Sequence, residues 1–196
     1  MQIQKLFLAT LLALTTSAVA QTPADNSVAD KAGTSAVQPS GAQQSPVPQS
    51  PVQQSFDQLK TLAGHWTGTM GGEGKDMHLD VTLRVTSLGN TLMHEMKSNA
   101  APDDPITMFT IDGDKLVLTH YCDAGNQPHM VGTVSPDGKT YTFNFVSATN
   151  LLPTQHGHMQ QVVFSFIDPD HHTEKWEFAM ADGRTMGGLL DLKREK

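Results

Sequence analysis

His120 and Cys122 stand two residues apart in the run Lys115–Cys122. The alternation there predicts a β-strand, so both side chains share the face that carries Leu116 and Leu118. An imidazole and a thiol at the end of an apolar wall admit three chemistries. They can be a backbone-bonded core histidine beside a small buried hydrophobe. They can anchor the polar end of a small molecule. Together with a second pair, His156 and His158, they can ligate Zn²⁺, Cu⁺ or haem iron. The spacing selects none of the three, since any two strand residues so spaced share a face.

Further polar groups follow. Asn126, Gln127 and His129 lie in or just after the turn Asp123-Ala124-Gly125-Asn126. Side-chain amides supply donors and acceptors that orient a polar head at a barrel mouth. They equally stabilise a turn: Gly125-Asn126 tolerates positive φ, and Pro128 protects a strand edge. Thr149 and Asn150, in a long loop, carry the same two readings. The expected ligand site is therefore His120, Cys122, Asn126, Gln127, His129, Asn150 and His158. His171-His172 follow Asp168-Pro169-Asp170 and read as solvated turn residues. Met93, Met96, Met108, Met130 and Met159 fall in strand runs, where methionine fills a core or adapts to an apolar ligand. Glu95 and Glu174 are strand carboxylates without a visible partner. No Gly-x-Ser-x-Gly, His-Glu-x-x-His, P-loop or dinucleotide fingerprint occurs, so the residues support no enzymatic reaction.

The elements that must position these groups are mostly strands. Ser55-Phe56-Asp57-Gln58 reads as a capping box, with Phe56, Leu59 and Leu62 at helical spacing before Gly64. The period then switches to two. Met77, Leu79, Val81, Leu83 and Val85 alternate with polar residues; Tyr141, Phe143 and Phe145 do so again, as do Phe164 and Phe166, and Trp176 and Phe178. Turn signals such as Leu88-Gly89-Asn90, Asp112-Gly113-Asp114 and Pro136-Asp137-Gly138 divide the chain. The result is about ten strands, near 64–70, 76–87, 91–97, 105–112, 115–122, 127–134, 139–146, 157–167, 172–180 and 185–193. Tight turns imply sequential antiparallel pairing, and a meander this long removes its edges by closing. The expected fold is all-β, an up-and-down antiparallel barrel with a short N-terminal helix; a two-sheet sandwich is the alternative.

Leu59-x-x-Leu62-x-Gly64-x-Trp66-x-Gly68 resembles the opening motif of lipocalin-like (calycin) barrels, in which a short helix closes the base. The block Leu118-Thr119-His120-Tyr121-Cys122-Asp123-Ala124-Gly125-Asn126-Gln127-Pro128, with Ala148-Thr149-Asn150-Leu151 and Gly157-His158-Met159, is similar to uncharacterised exported bacterial members of that group. The likeness covers 56–193. A more distant likeness is to nitrobindin, the ten-stranded haem barrel, through Gly64, Trp66 and Gly68. The segment Thr69–Gly74 lacks the Tyr-Pro that follows in that family. What the resemblance implies is an exported barrel that binds a small apolar or amphipathic ligand. A haem or metal barrel, and a filled barrel with a structural role, stay open beside it.

Composition bounds the partners. Thirteen Lys and Arg against 20 Asp and Glu give −7, which disfavours nucleic acid and anionic membrane surfaces. One Cys excludes an intrachain disulfide. Lys5, the short apolar run Leu6–Leu14 and Ala18-Val19-Ala20 read as a signal peptide cleaved before Gln21, too short to span a bilayer. Gln21–Gln54 has no aromatic residue and is half Gln, Pro and Ser, the composition of a disordered linker. The barrel domain is expected over 55–196, exported and bacterial, periplasmic or secreted.

Overall fold

The computed structural model describes residues 48–71, 77–99, 104–152 and 157–196. The signal peptide, linker residues 21–47 and His156 lie outside the described residues.

The first element is the helix α1 (Pro51–Lys60). It starts four residues before the expected capping box, inside what reads as linker. Ser50 is the N-cap, its hydroxyl accepting from the Gln53 N–H at 3.3 Å. Pro51 suits the first helical position, because its ring presets φ and its missing N–H would have had no partner. Phe56 and Leu59, with Leu62 just beyond the helix, are fully buried against the barrel interior.

Ten strands follow: β1 (Gly64–Gly71), β2 (Met77–Thr86), β3 (Thr91–Ser98), β4 (Ile106–Asp112), β5 (Lys115–Tyr121), β6 (Gln127–Val134), β7 (Thr140–Thr149), β8 (His158–Asp168), β9 (His171–Ala179) and β10 (Thr185–Arg194). Each pairs antiparallel with its neighbours in sequence, and β1 pairs with β10, so the sheet is a closed up-and-down barrel. The all-β barrel read from the alternation is the observed fold.

α1 plugs one end. Trp66 lies over this plug and donates its indole N–H to the Leu62 carbonyl at 2.8 Å. The Arg194 guanidinium sits 4.1 Å from the Trp66 ring centroid and donates to the carbonyls of Ala63 and Thr61 at 2.8 and 2.9 Å. The opening motif thus has a mechanical meaning. A Cβ on Gly68 would collide with the Asp191 carbonyl, so glycine is what lets β1 approach β10 and close the sheet. Above the plug, Phe109, Phe143 and Phe164 pack edge to face, with ring centroids 5.2 and 5.4 Å apart from Phe109. The C-terminal ends of β1, β3, β5, β7 and β9 lie at the opposite, open end.

Candidate functional site

Register brings three polar side chains into one row on the inner wall. His94 on β3 is opposite Thr107 on β4, and Thr107 is opposite His120 on β5. Thr107 Oγ1 and His120 Nδ1 are 2.8 Å apart, and both residues are buried. That bond fixes the imidazole and leaves Nε2 without a hydrogen-bond partner among the described residues.

The facing wall is β9, where His172, Glu174 and Trp176 alternate inward. The Glu174 carboxylate, 0% exposed, accepts from His172 Nε2 at 2.9 Å, from His94 Nε2 at 3.1 Å and from the Trp176 indole N–H at 2.9 Å. Burial alone would raise this carboxyl; the His94 imidazole beside it and the bonds from His172 and His94 overrule that and hold it below the ordinary carboxylate range. Both Nδ1 atoms of His94 and His172 are buried and have no partner among the described residues. His172 in turn meets Trp66 edge-on, ring centroids 4.2 Å apart. A polar string therefore runs up the barrel from the plug to its upper half.

Above that string the barrel is hollow. A cavity of about 510 Å³ opens at the end away from α1. Its floor includes His120 and Trp176, whose rings lie 5.2 Å apart. Its wall is apolar, with Leu79, Phe178 and Leu190, and five strands contribute one methionine each: Met70, Met77, Met96, Met159 and Met186. Met159 faces inward because the β8–β9 register shifts between Met159 and Gln161, a bulge that re-aims the start of β8. Ser98 and Asp123 bring oxygen atoms to the cavity, and no Lys or Arg is among the described residues that line it. Burial, with the His94 imidazole nearby, pushes His120 down to about 4 against an opposing pull from Asp123, so its ring is neutral at neutral pH.

Of the seven residues singled out from sequence, one reaches this cavity: His120. Cys122 is buried in the turn after β5, its Sγ 3.3 Å from Asp123 Oδ1. Asn126 is buried too, but its Nδ2 donates to the Gly157 carbonyl at 3.0 Å and ties that turn to the start of β8. Gln127 begins β6 beside the turn, its Nε2 3.5 Å from the Gly125 carbonyl. Asn150, at φ 56°, donates to the Gly125 carbonyl at 2.8 Å. His129 points outward, between Thr119 Oγ1 at 3.1 Å and Thr149 Oγ1 at 3.0 Å. His158 packs on Phe145, centroids 4.0 Å apart, in a shallow outer hollow with Gln160 and Glu177. These six brace the turn and its neighbours or face outward.

Conversely, His172 is no solvated turn residue: it is fully buried and bonded to Glu174, while His171 faces out to Asp191 at 3.0 Å. The signal was present, since His172, Glu174 and Trp176 follow the same two-residue period as the other inward faces. Met93 and Met108 are paired on the outer face, Met130 is core, and Met96 and Met159 line the cavity. No group of three His, Cys, Asp or Glu side chains among the described residues is placed to hold a metal ion. Nor is any helix among them long and apolar enough to cross a membrane.

Fold and cavity together define a small closed antiparallel barrel, plugged by a helix at one end and hollow at the other. Rv2717c from M. tuberculosis has a similar structure, with a TM-score of 0.51 and 19% identity over 72% of this chain and 98% of that one. A protein of unknown function of the DUF3598 family from Nostoc punctiforme gives a TM-score of 0.49 and 14% identity, over 70% of this chain and 48% of that one. At 19% identity the likeness to Rv2717c shows the fold alone. No protein-family model matches the sequence, and no curated protein matches it.

Proposed function

We propose that the chain is an exported, lipocalin-like binding barrel that holds one small apolar or amphipathic molecule in the cavity at its open end. The observation that carries this reading is the cavity itself: an apolar hollow of about 510 Å³ whose floor presents a fixed imidazole with one nitrogen unpartnered among the described residues. Enclosure supplies affinity through apolar burial, and a few polar groups set orientation. Flexible methionines let such a wall adjust to the ligand's outline. Export rests on the apolar run Leu6–Leu14 and the Ala18-Val19-Ala20 site, and sequencing of the exported chain should start at Gln21.

Haem, the ligand of the nitrobindin-like reading, is matched only in part by the described donor set. His120 Nε2 could face an iron, but two propionates would have no cationic partner among the described lining residues.

The direct test is titration with Nile red, a neutral apolar dye, against the native barrel and Met96→Trp, whose larger side chain fills the cavity. Saturable binding of one dye per chain, lost in Met96→Trp while the fold persists, supports the reading. Absence of saturable binding, or equal binding by the filled variant, overturns it. A Soret band on titration with hemin, lost in the same variant, would replace the small-ligand reading by a haem one.

A further inference from the structure

We infer that the cavity selects molecules whose polar end is an uncharged oxygen, a hydroxyl or a carbonyl, seated on Nε2 of His120. The inference deepens the proposed function and depends on the cavity being a ligand site.

The geometry at the floor is restrictive. Thr107 Oγ1 holds Nδ1 of His120 at 2.8 Å, so the ring cannot turn away, and Nε2 is the nitrogen left to meet a ligand. His120 is 2% exposed, and its imidazole is uncharged at neutral pH for want of solvation. An uncharged imidazole offers one N–H or one lone pair, whichever Thr107 leaves. A hydroxyl, being donor and acceptor, meets either form; a carbonyl meets the N–H form.

Charge around the floor keeps the commoner amphiphile heads off His120. A carboxylate seated there would lose its water and gain no cation, since no Lys or Arg lines the cavity among the described residues. It would also approach two acidic groups, Asp123 on the cavity wall and the buried Glu174 carboxylate beneath Trp176. An ammonium head has no reason to sit on the His120 nitrogen. His120 offers it no negative charge, and Glu174 is already bonded to His94, His172 and Trp176. The carboxylate that would draw a cation is Asp123 on the cavity wall. An uncharged head loses least on entering and gains one hydrogen bond.

The experiment compares four molecules of one shape, naphthalene, naphthol, naphthoate and naphthylmethylamine, as competitors of Nile red at neutral pH. The shared rings cancel the apolar contribution and naphthalene sets the headless baseline. Naphthol is expected to bind about five-fold more tightly than naphthalene, the worth of one neutral hydrogen bond. Naphthoate should bind more weakly than naphthalene, and the affinity of the amine should not depend on His120. In Thr107→Val/His120→Phe, which removes both partners of the floor bond, the advantage of naphthol over naphthalene should vanish. Should that variant not fold, ¹⁵N signals of the His120 ring in the native protein decide: Nε2 should shift with naphthol and stay with naphthalene. Naphthoate binding as tightly as naphthol, an amine affinity that falls in the double variant, an advantage of naphthol surviving that variant, or an Nε2 signal indifferent to naphthol would overturn the inference and leave the cavity a ligand site. Failure of all four molecules and of the dye would overturn the cavity reading, and this inference with it.

Discussion

Acidifying the protein should cost it the neutral state of His120, and the size of that cost follows from burial. Its ordinary value of 6.5 applies in the unfolded chain, while the folded barrel holds it near 4. Above 6.5 both states are uncharged and the group contributes nothing to pH dependence. Between 6.5 and 4 the unfolded chain takes up a proton that the folded one refuses, so stability falls as pH falls; below 4 both are protonated and the loss levels off. The span corresponds to about 3 kcal/mol, at roughly 1.4 kcal/mol per unit. Other histidines and carboxylates titrate too, so the measurement is a difference. Urea unfolding of the native protein and of Thr107→Val/His120→Phe is followed at about pH 7.5 and about pH 4. With a slope of about 2 kcal/mol/M, the native midpoint should drop roughly 1.5 M further than that of the variant. Two proteins losing stability in parallel would refute the claim that His120 is buried without charge.

Glu174→Leu strands the donors of His94, His172 and Trp176 and should cost about 3–5 kcal/mol in urea unfolding. The folded value of Glu174 is lowered from its ordinary 4.5, so the stability it confers is complete above that pH. It is then lost as pH falls further, so the native protein should keep losing stability below pH 4.5 in a way that Glu174→Leu does not. Arg194→Met removes a cation from the Trp66 face and two bonds to the plug, and should cost about 2 kcal/mol, read as a lowered urea midpoint. Deleting residues 21–47 should leave the melting temperature within about 3 °C, less than the shift that 1 kcal/mol causes in a domain of this size.

The barrel was legible because its inner face needs an apolar residue at every second position and its turns need Gly, Asp and Asn. Both demands are local, and both are visible in runs such as Met77–Val85. The helix start was misread for an equally local reason: Pro51 resembles the prolines before it, although a first helical turn accepts one. The site was less legible because its contacts cross the barrel. That His94, Thr107 and His120 form a row depends on the register of two hairpins, and no single strand carries that information. Glu174 finds His94 80 residues away, on a strand that no alternation pattern connects to it. The amides after His120 stayed ambiguous in sequence because turn chemistry and ligand chemistry use the same side chains.

The seam between β1 and β10 orders events in time. Arg194 reaches Ala63 across 131 residues of chain, so the sheet cannot close until its last strand has been made and delivered. Contacts this distant in sequence slow folding into the millisecond-to-second range. Until then the outer edge of β1 has no partner strand. Its sequence suits the wait: Gly64-His65-Trp66-Thr67-Gly68-Thr69-Met70-Gly71 holds three glycines and no Val or Ile, a poor template for stray pairing between copies. Gly68, which lets the finished barrel shut, is thus also one of the three glycines that make the waiting edge a weak template.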